Sequence, residues 1–422
     1  MNAIPSPAAL PSLLVDAERL WSDILATARF GAAGETGMNR LAGSVADGDV
    51  RRWFEAECRA LGCTVEVDRI GNMFATYPGT DPCLPSIAVG SHLDTQPAGG
   101  RFDGILGVLA GVEILRILRA SGWRLVHPFT MVNWTNEEGS RFAPAMMGSG
   151  VFCGVHALDV MSARTDKDGI SLGEALEAIG YRGTHLPGHL PMAAYLELHI
   201  EQGPVLEAAG RVIGIVTGVQ GLRWLDIRIK GTEAHAGAFP MTLRQDALVS
   251  AAKVIQAVEA VALKHSPGVG TVGYVHVIPN SRNVVPGEVC LEVDLRHPDE
   301  AGLMAMEVGI RDEVNRQVPG AAVSAVWRKA PVAFDATLRG VVAQAAADLA
   351  LPAMDIVSGA GHDAAHLAGQ VPTAMVFIPS RDGLSHNARE FSSPQQCADG
   401  ANVLLRSVLR ADELLLSRRA RT

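Results

Sequence analysis

The sequence predicts an α/β protein interrupted by a smaller α+β unit. Short, largely apolar runs, Ile87–Ser91, Phe129–Thr135, Tyr195–Ile200 and Ala374–Pro379, have the length and composition of strands buried in a sheet. Helical patterns such as Gly104–Ala120 and Leu338–Leu351 lie between them, and that alternation favours a sheet covered by helices on both faces. The period then changes over about Val216 to Arg328. Leu225, Ile227 and Ile229 alternate with Asp226, Arg228 and Lys230, as in a half-exposed strand. A helix is expected over Thr242–Lys264, with Leu243, Ala247, Leu248, Ala251, Ile255 and Val258 on its apolar side. Val289, Leu291, Val293 and Leu295 alternate with Cys290, Glu292, Asp294 and Arg296; a helix over Glu300–Gln317 and a strand over Ala321–Val326 follow. The order β-α-β-β-α-β is that of a split βαβ unit with its helices on one face. Buried-type strands flank it, so the expected organisation is a first domain part at 1–215, an inserted domain at 216–328 and a second part at 329–422.

Composition narrows the function classes. The 422 residues include 45 acidic and 36 basic side chains, a formal net charge of −9, which disfavours a generic nucleic-acid binder. Hydrophobic residues make up 48% and charged residues 19%, enough to bury a sizeable core. No apolar run approaches the roughly 18 residues of a spanning helix. Met1 to Leu14 contains prolines and lacks a basic segment, so no secretory leader is expected there. Cys58, Cys63, Cys83, Cys153, Cys290 and Cys397 form no CxxC pair, and reduced thiols in the cytoplasm are expected. The basic end, Arg418-Arg419-Ala420-Arg421, reads as a frayed tail.

Four clusters of ligand-type side chains stand at or just beyond the ends of the apolar runs. They are Ser91-His92-Leu93-Asp94-Thr95, Asn136-Glu137-Glu138-Gly139, Leu198-His199-Ile200-Glu201-Gln202-Gly203 and Leu384-Ser385-His386-Asn387. Asp103, before Gly104, joins the first strand to its helix. Open α/β sheets bind ligands outside the carboxyl ends of their strands. Oxygen and nitrogen donors converging there suit divalent ions such as zinc or manganese. Singly, each residue has an ordinary explanation: a turn or cap carboxylate for Asp103, a solvated pair for Glu137-Glu138, a core histidine for His199, a surface loop for His386. Their joint occurrence at four strand ends selects the metal site.

His92-Leu93-Asp94, Asp103, Glu137-Glu138, His199 and His386 resemble the two-metal site of the zinc aminopeptidase-like amidohydrolases. Gly100–Gly104, Asn136–Phe142, His199–Pro204 and Gly383–Asn387 are similar to motifs of the hydantoinase/carbamoylase branch, and the likeness runs from Arg40-Leu41 to beyond Glu390. His199 stands where peptidase relatives usually place a carboxylate. The resemblance implies an aminopeptidase-like catalytic domain, a mixed sheet between helices, with an inserted ferredoxin-like lid and dimerisation domain. It further implies two divalent ions per subunit, zinc or manganese, with cobalt or nickel also compatible. One ion would be held by His92 and His199, the other by Glu138 and His386, with Asp103 bridging and Asp94 orienting His92. Glu137 would be the general base, taking a proton from water activated by the ions and returning it to the leaving nitrogen. His235, in Gly231–Gly237, resembles the histidine that donates to the oxyanion and reaches the active site of the partner subunit, which implies a homodimer. Asn283 and Arg296 resemble the clamp on the substrate carboxylate. Arg296 alternates with core residues, and a guanidinium is the natural bidentate partner of a carboxylate. Gln202 and the backbone of Gly359-Ala360 are further candidate substrate contacts; His362 and Asp363 fit the pattern without an assignable chemical step. His127, His156, His185, His189, His265, His276, His297 and His366 read as structural.

The activity this implies is hydrolysis of the ureido group of an N-carbamoyl-L-amino acid to amino acid, ammonia and carbon dioxide, with no nucleic-acid or membrane partner. Allantoate and N-carbamoyl-β-alanine pair a ureido group with a carboxylate and would use the same machinery. A dipeptidase or N-acyl amino acid hydrolase is a second class. A non-catalytic binding homologue is a third, opposed by the retention of Glu137 and all five ligand positions. Substrate-driven closure of the inserted domain is expected.

Overall fold

The computed structural model describes residues 13–419; most of Met1–Leu14, and Ala420–Thr422 of the basic tail, lie outside the described residues. The chain forms two compact units. One runs to Thr217 and resumes at Ala333; the other is Gly218–Val332.

The first unit is built on a nine-stranded mixed sheet. Its order is Val332–Ala333, Ile213–Val219, Thr373–Ile378, Met192–Ile200, Ser86–His92, Phe129–Trp134, Met73–Tyr77 and Thr64–Val67, with Ala353–Ser358 also pairing Ile213–Val219. The four apolar runs of the sequence are the four central strands. They are mutually parallel, so their carboxyl ends share one edge, while the flanking strands run antiparallel. The helix Ile105–Ser121 packs on Ser86–His92, and the helix Pro394–Arg419 packs on Met192–Ile200. Ala194, Leu196, Leu198 and Ile200 face this helical layer as part of the main apolar core. Tyr195, Glu197 and His199, the alternate residues of the same strand, are buried as well. Both faces of the strand are therefore covered, one by apolar packing and the other by a polar network. Arg418 and Arg419 are not frayed: they close the last helix, Arg418 bonding Thr337 Oγ1 and Arg419 pairing with Asp81.

The second unit is a four-stranded antiparallel sheet in the order Val269–Ile278, Glu288–His297, Gly221–Lys230, Ala322–Lys329. The helices Ala247–Lys264 and Glu300–Gln317 pack on it around Leu225, Ile227, Ile229, Val289, Leu291, Val293 and Leu295. The first helix starts five residues later than the apolar pattern predicts, because the Asp246 side chain accepts from Leu248 N and Val249 N and fixes the cap there. The buried stripe is Ala247, Ala251, Val254, Val258 and Val261, an i, i+4, i+7 series. Leu243, Leu248 and Ile255, expected on that face, are 65%, 40% and 36% exposed.

Candidate metal centre

Four parallel strands and the turns after them deliver the ligand-type side chains. His92 ends its strand, His199 is the penultimate residue of its own, and Glu137-Glu138 follow Trp134 closely. His386 lies farther out than the pattern suggests, in the loop beyond the 3-10 turn Arg381–Gly383. The backbone is bent sharply at these places: Asn136, Gln202 and His386 all have left-handed φ, 54°, 61° and 52°. Each such residue costs on the order of 1–3 kcal/mol, and strain of this kind collects at functional sites. Gly104 (φ +70°) turns Asp103 into its helix; a Cβ there would fall 2.3 Å from the His92 ring.

Asp103 is the hub. Its Oδ1 lies 3.1 Å from His199 Nε2 and 3.6 Å from His92 Nε2, and its Oδ2 lies 3.4 Å from His386 Nε2. His386 Nε2 is also 3.3 Å from Glu138 Oε2. The donor atoms of His92, Asp103 and His199 all lie within 4.8 Å of one another, as do those of Asp103, Glu138 and His386. The rings are fixed from behind. His92 Nδ1 is 2.9 Å from the Asp94 carbonyl and His199 Nδ1 is 2.9 Å from the Ile200 carbonyl, which places both Nδ1 protons there and turns each Nε2 toward Asp103, where His199 Nε2 also accepts from Gly104 N (3.2 Å).

The charge balance is that of a cation site. Burial works against the Asp103 carboxylate, but hydrogen bonds from His199, His386 and His92 hold it well below its usual range. Burial pushes Glu138 up to about 7, with Asp103 adding to the shift. Glu137 is pushed well above the ordinary range by burial and by Asp363, Glu138 and Asp103, against the pull of His92. Burial opposes charging His92, yet Glu137 and Asp103 raise it. Carboxylates and imidazoles that rise together are short of positive charge, and imidazole–carboxylate donor sets fit divalent cations. Glu137 Oε2 stands 3.5 Å from His92 Nε2, beside the ligand trios rather than within them.

The remaining expected site residues fall differently. The Asp94 backbone carbonyl makes the hydrogen bond to His92 Nδ1, while its carboxylate Oδ1 lies 3.9 Å from that atom; the carboxylate oxygens accept from Glu137 N (3.2 Å) and Glu138 N (3.3 Å). Gln202, an expected substrate contact, has a left-handed backbone and donates from its side-chain amide to Asp103 Oδ2 (2.9 Å) and Ser385 Oγ (3.2 Å). Ala360 N bonds Ser358 Oγ (3.2 Å), so this amide is engaged within its own turn; Gly359 is exposed, with open space beside it. In the second unit, His235 and Asn283 are neighbours, because Ala234–His235 pairs with Val284–Val285 and Ala236 N bonds the Asn283 carbonyl (2.9 Å). His235 is exposed and its Nδ1 accepts from Gly237 N and Ala238 N, both at 3.1 Å. Arg296 is half-buried on the polar face of its strand, with its guanidinium on Asp294 (NH2 to Oδ2, 2.9 Å).

Glu390, Gln96 and Glu197, which the sequence pattern did not mark, and His362 and Asp363, which fitted it without an assignable step, surround the centre. Glu390 accepts from Phe102 N (3.0 Å) and Asp103 N (3.1 Å) and so fixes the hub; burial, with Asp103, raises it to about 8. Gln96 donates to Glu138 from its backbone (3.1 Å) and its side chain (2.8 Å). Glu197 accepts from Ser91 Oγ (2.7 Å) and Tyr195 OH (3.2 Å), and His362 stacks edge-on against His199 with centroids 4.5 Å apart. Asp363 accepts from Ser149 Oγ. The period-two register of Tyr195, Glu197 and His199 was the one available signal for Glu197; 287 positions separate Glu390 from Asp103, and nothing local marks it.

Residues 88–410 match the family described as Peptidase family M20/M25/M40. A relative from Rhizobium meliloti named N-carbamoyl-L-amino-acid amidohydrolase is 46% identical over 95% of this chain and 98% of its own length. A ureidoglycolate hydrolase of Arabidopsis thaliana is 33% identical over 93% of this chain and 86% of its own. The solved structure of a hydantoinase/carbamoylase family amidase from Burkholderia multivorans superposes with a TM-score of 0.92 at 47% identity, covering 95% of this chain and 99% of that one. With that overlap spanning both units and every strand that bears a ligand, the chain belongs to the M20/M25/M40 peptidase family, in its hydantoinase/carbamoylase branch.

Proposed function

We propose that this protein is a two-metal amidohydrolase that cleaves the ureido group of an N-carbamoyl-L-amino acid, giving the amino acid, ammonia and carbon dioxide. The observation that carries it is the pair of ligand trios meeting at Asp103, with Glu137 beside His92, in a chain 46% identical to a named N-carbamoyl-L-amino-acid amidohydrolase. His92 and His199 would hold one ion and Glu138 and His386 the other, with Asp103 spanning both; zinc or manganese suits these donors, and cobalt or nickel is tolerated. Such ions supply Lewis acidity toward the ureido carbonyl and lower the pKa of water.

The chain's own groups do the rest. Glu137, a carboxyl already raised by burial, accepts a proton from the attacking water and returns it to the departing nitrogen. With both backbone donors on Nδ1, the His235 ring proton sits on Nε2, where it donates to the developing oxyanion. A substrate carboxylate competes with Asp294 for the Arg296 guanidinium, and Asn283 adds an amide donor.

A homodimer formed through the inserted unit is part of this reading, with His235 serving the partner's site. Its support is an edge strand of ten residues, Val269–Ile278, exposing Val269, Tyr274, Val275 and Ile278, beside a helix exposing Leu248, Val249, Ile255 and Leu263. An apolar free edge of that length invites pairing, and a second copy supplies a self-complementary one. Light scattering during gel filtration should report a dimer, and Val275→Lys should yield monomer; a wild-type monomer would remove His235 from the partner's site. We place the protein in the cytoplasm on the strength of its six free cysteines; no helix of the described residues is long and apolar enough to cross a membrane.

The test is ammonia release by metal-loaded protein on an N-carbamoyl-L-α-amino acid, N-carbamoyl-β-alanine, allantoate and ureidoglycolate side by side, with a dipeptide scored for free amine. The plant ureidoglycolate hydrolases among the relatives make ureidoglycolate the second reading. Highest turnover on the carbamoyl-α-amino acid is expected. Amine from the dipeptide, with no ammonia anywhere, would overturn the amidohydrolase assignment.

A further inference from the structure

A separate ligand group lies in the first unit, away from every residue used above. Glu66 belongs to Thr64–Val67, the last strand of the sheet order. His185 and His189 come from the loop before Met192–Ile200, four positions apart, with the turn between them closed by His189 N on the Leu186 carbonyl (3.2 Å) and by Gly188 at φ +81°. This loop is stitched alongside the strand's continuation: Gly183 N bonds Asp68 O (3.0 Å) and Arg69 N bonds His185 O (2.9 Å). The result places His185 Nε2 3.3 Å from Glu66 Oε1 and His189 Nε2 3.9 Å from Glu66 Oε2, with all three donor atoms within 4.8 Å.

The details are those of ligands rather than of a plain ion pair. His189 Nδ1 sits 3.0 Å from the Leu186 carbonyl, so its proton is there and the Nε2 lone pair is free. That Nε2 is buried and has no hydrogen-bond partner among the described residues. Phe74 packs edge-on against the ring (5.3 Å), and His185 stacks on it (4.7 Å), so the ring is held in place. Tetrahedral zinc with nitrogen and oxygen bonds of about 2.0–2.1 Å spaces its ligands roughly 3.3 Å apart, the separation found between His185 and Glu66. An ion pair between His185 and Glu66 accounts for that one contact and leaves His189 Nε2, 3.9 Å from the other Glu66 oxygen, without a hydrogen bond among the described residues.

We propose that Glu66, His185 and His189 form a third metal site, distinct from the catalytic pair, that takes a divalent d-block ion such as zinc and leaves a coordination position open to water. His185, 42% exposed at its side chain, provides the entry path. The ion would tie the 183–190 loop to the edge of the sheet, a structural rather than a chemical task.

Metal-loaded protein is dialysed against micromolar free zinc and its ions are counted by mass spectrometry. The wild type should hold one more ion per chain than His189→Ala or His185→Ala, and excess zinc should raise the thermal midpoint of the wild type alone. Turnover should be the same in all three. His185 is half-exposed, so its replacement keeps the test available if the His189 variant fails to fold. Equal ion counts in wild type and His185→Ala overturn the site.

Discussion

In the first unit His92, Asp103 and His199 are at most 4% exposed and converge on one another, while in the second His235, Asn283 and Arg296 are exposed or half-buried and are held by their own turn or strand. Under the proposed function, the contrast follows from what each set must do. Ligands for a cation can be buried together because the ion compensates their desolvation and repulsion, and backbone amides and carbonyls behind them fix their aim. Groups that recognise a substrate or a developing charge must stay reachable. They are kept in position more cheaply, by a turn amide on an imidazole or a neighbouring carboxylate on a guanidinium.

Substitutions on the two sides should separate in kind as well as in size. Glu137→Gln keeps the shape of the centre and removes the proton carrier, so kcat should fall by about 10²–10⁴ while metal analysis finds the ions still bound; unchanged turnover would take Glu137 out of its role. His235→Ala should lower kcat by about 10²–10³ without touching metal content, and a loss of metal instead would blur the division between the units. Arg296→Lys keeps the charge and loses the planar fork, which should raise KM about tenfold to a hundredfold with little change in kcat, since charged hydrogen bonds contribute about 1.5–3 kcal/mol. A fall in kcat alone would make Arg296 something other than a carboxylate clamp. Glu390→Gln sharpens the comparison from the buried side. It should weaken metal affinity by about 10–100-fold through a less well held Asp103, read by competition with a chelator, and leave KM for substrate unchanged in metal-saturated protein.

Much of the fold was legible because its signals are local. The four central strands are short apolar runs, and three strands of the second unit alternate with period two or follow a helix, so these could be placed from spacing; the five flanking strands of the first sheet and the edge strand Val269–Ile278 of the second could not. The first helix of the second unit was misjudged at its start, since a capping aspartate at position 246 outweighed the apolar character of Leu243 and rotated the buried stripe away from Leu248 and Ile255. The ligand-type residues were legible for a related reason: each stands at or beyond the end of a recognisable strand.

The sequence by itself determined that imidazoles and carboxylates would gather at one edge of a parallel sheet, because strand periodicity and chain direction dictate which residues end there. Only the tertiary structure decided how they are held. Glu390 reaches Asp103 across 287 positions, the Asp94 carboxylate bonds the Glu137–Glu138 backbone, Gln202 turns onto Asp103, and His189 meets Glu66 across a sheet edge. These contacts join segments far apart in the chain. No local propensity encodes them, since their partners become neighbours only when the sheet is assembled.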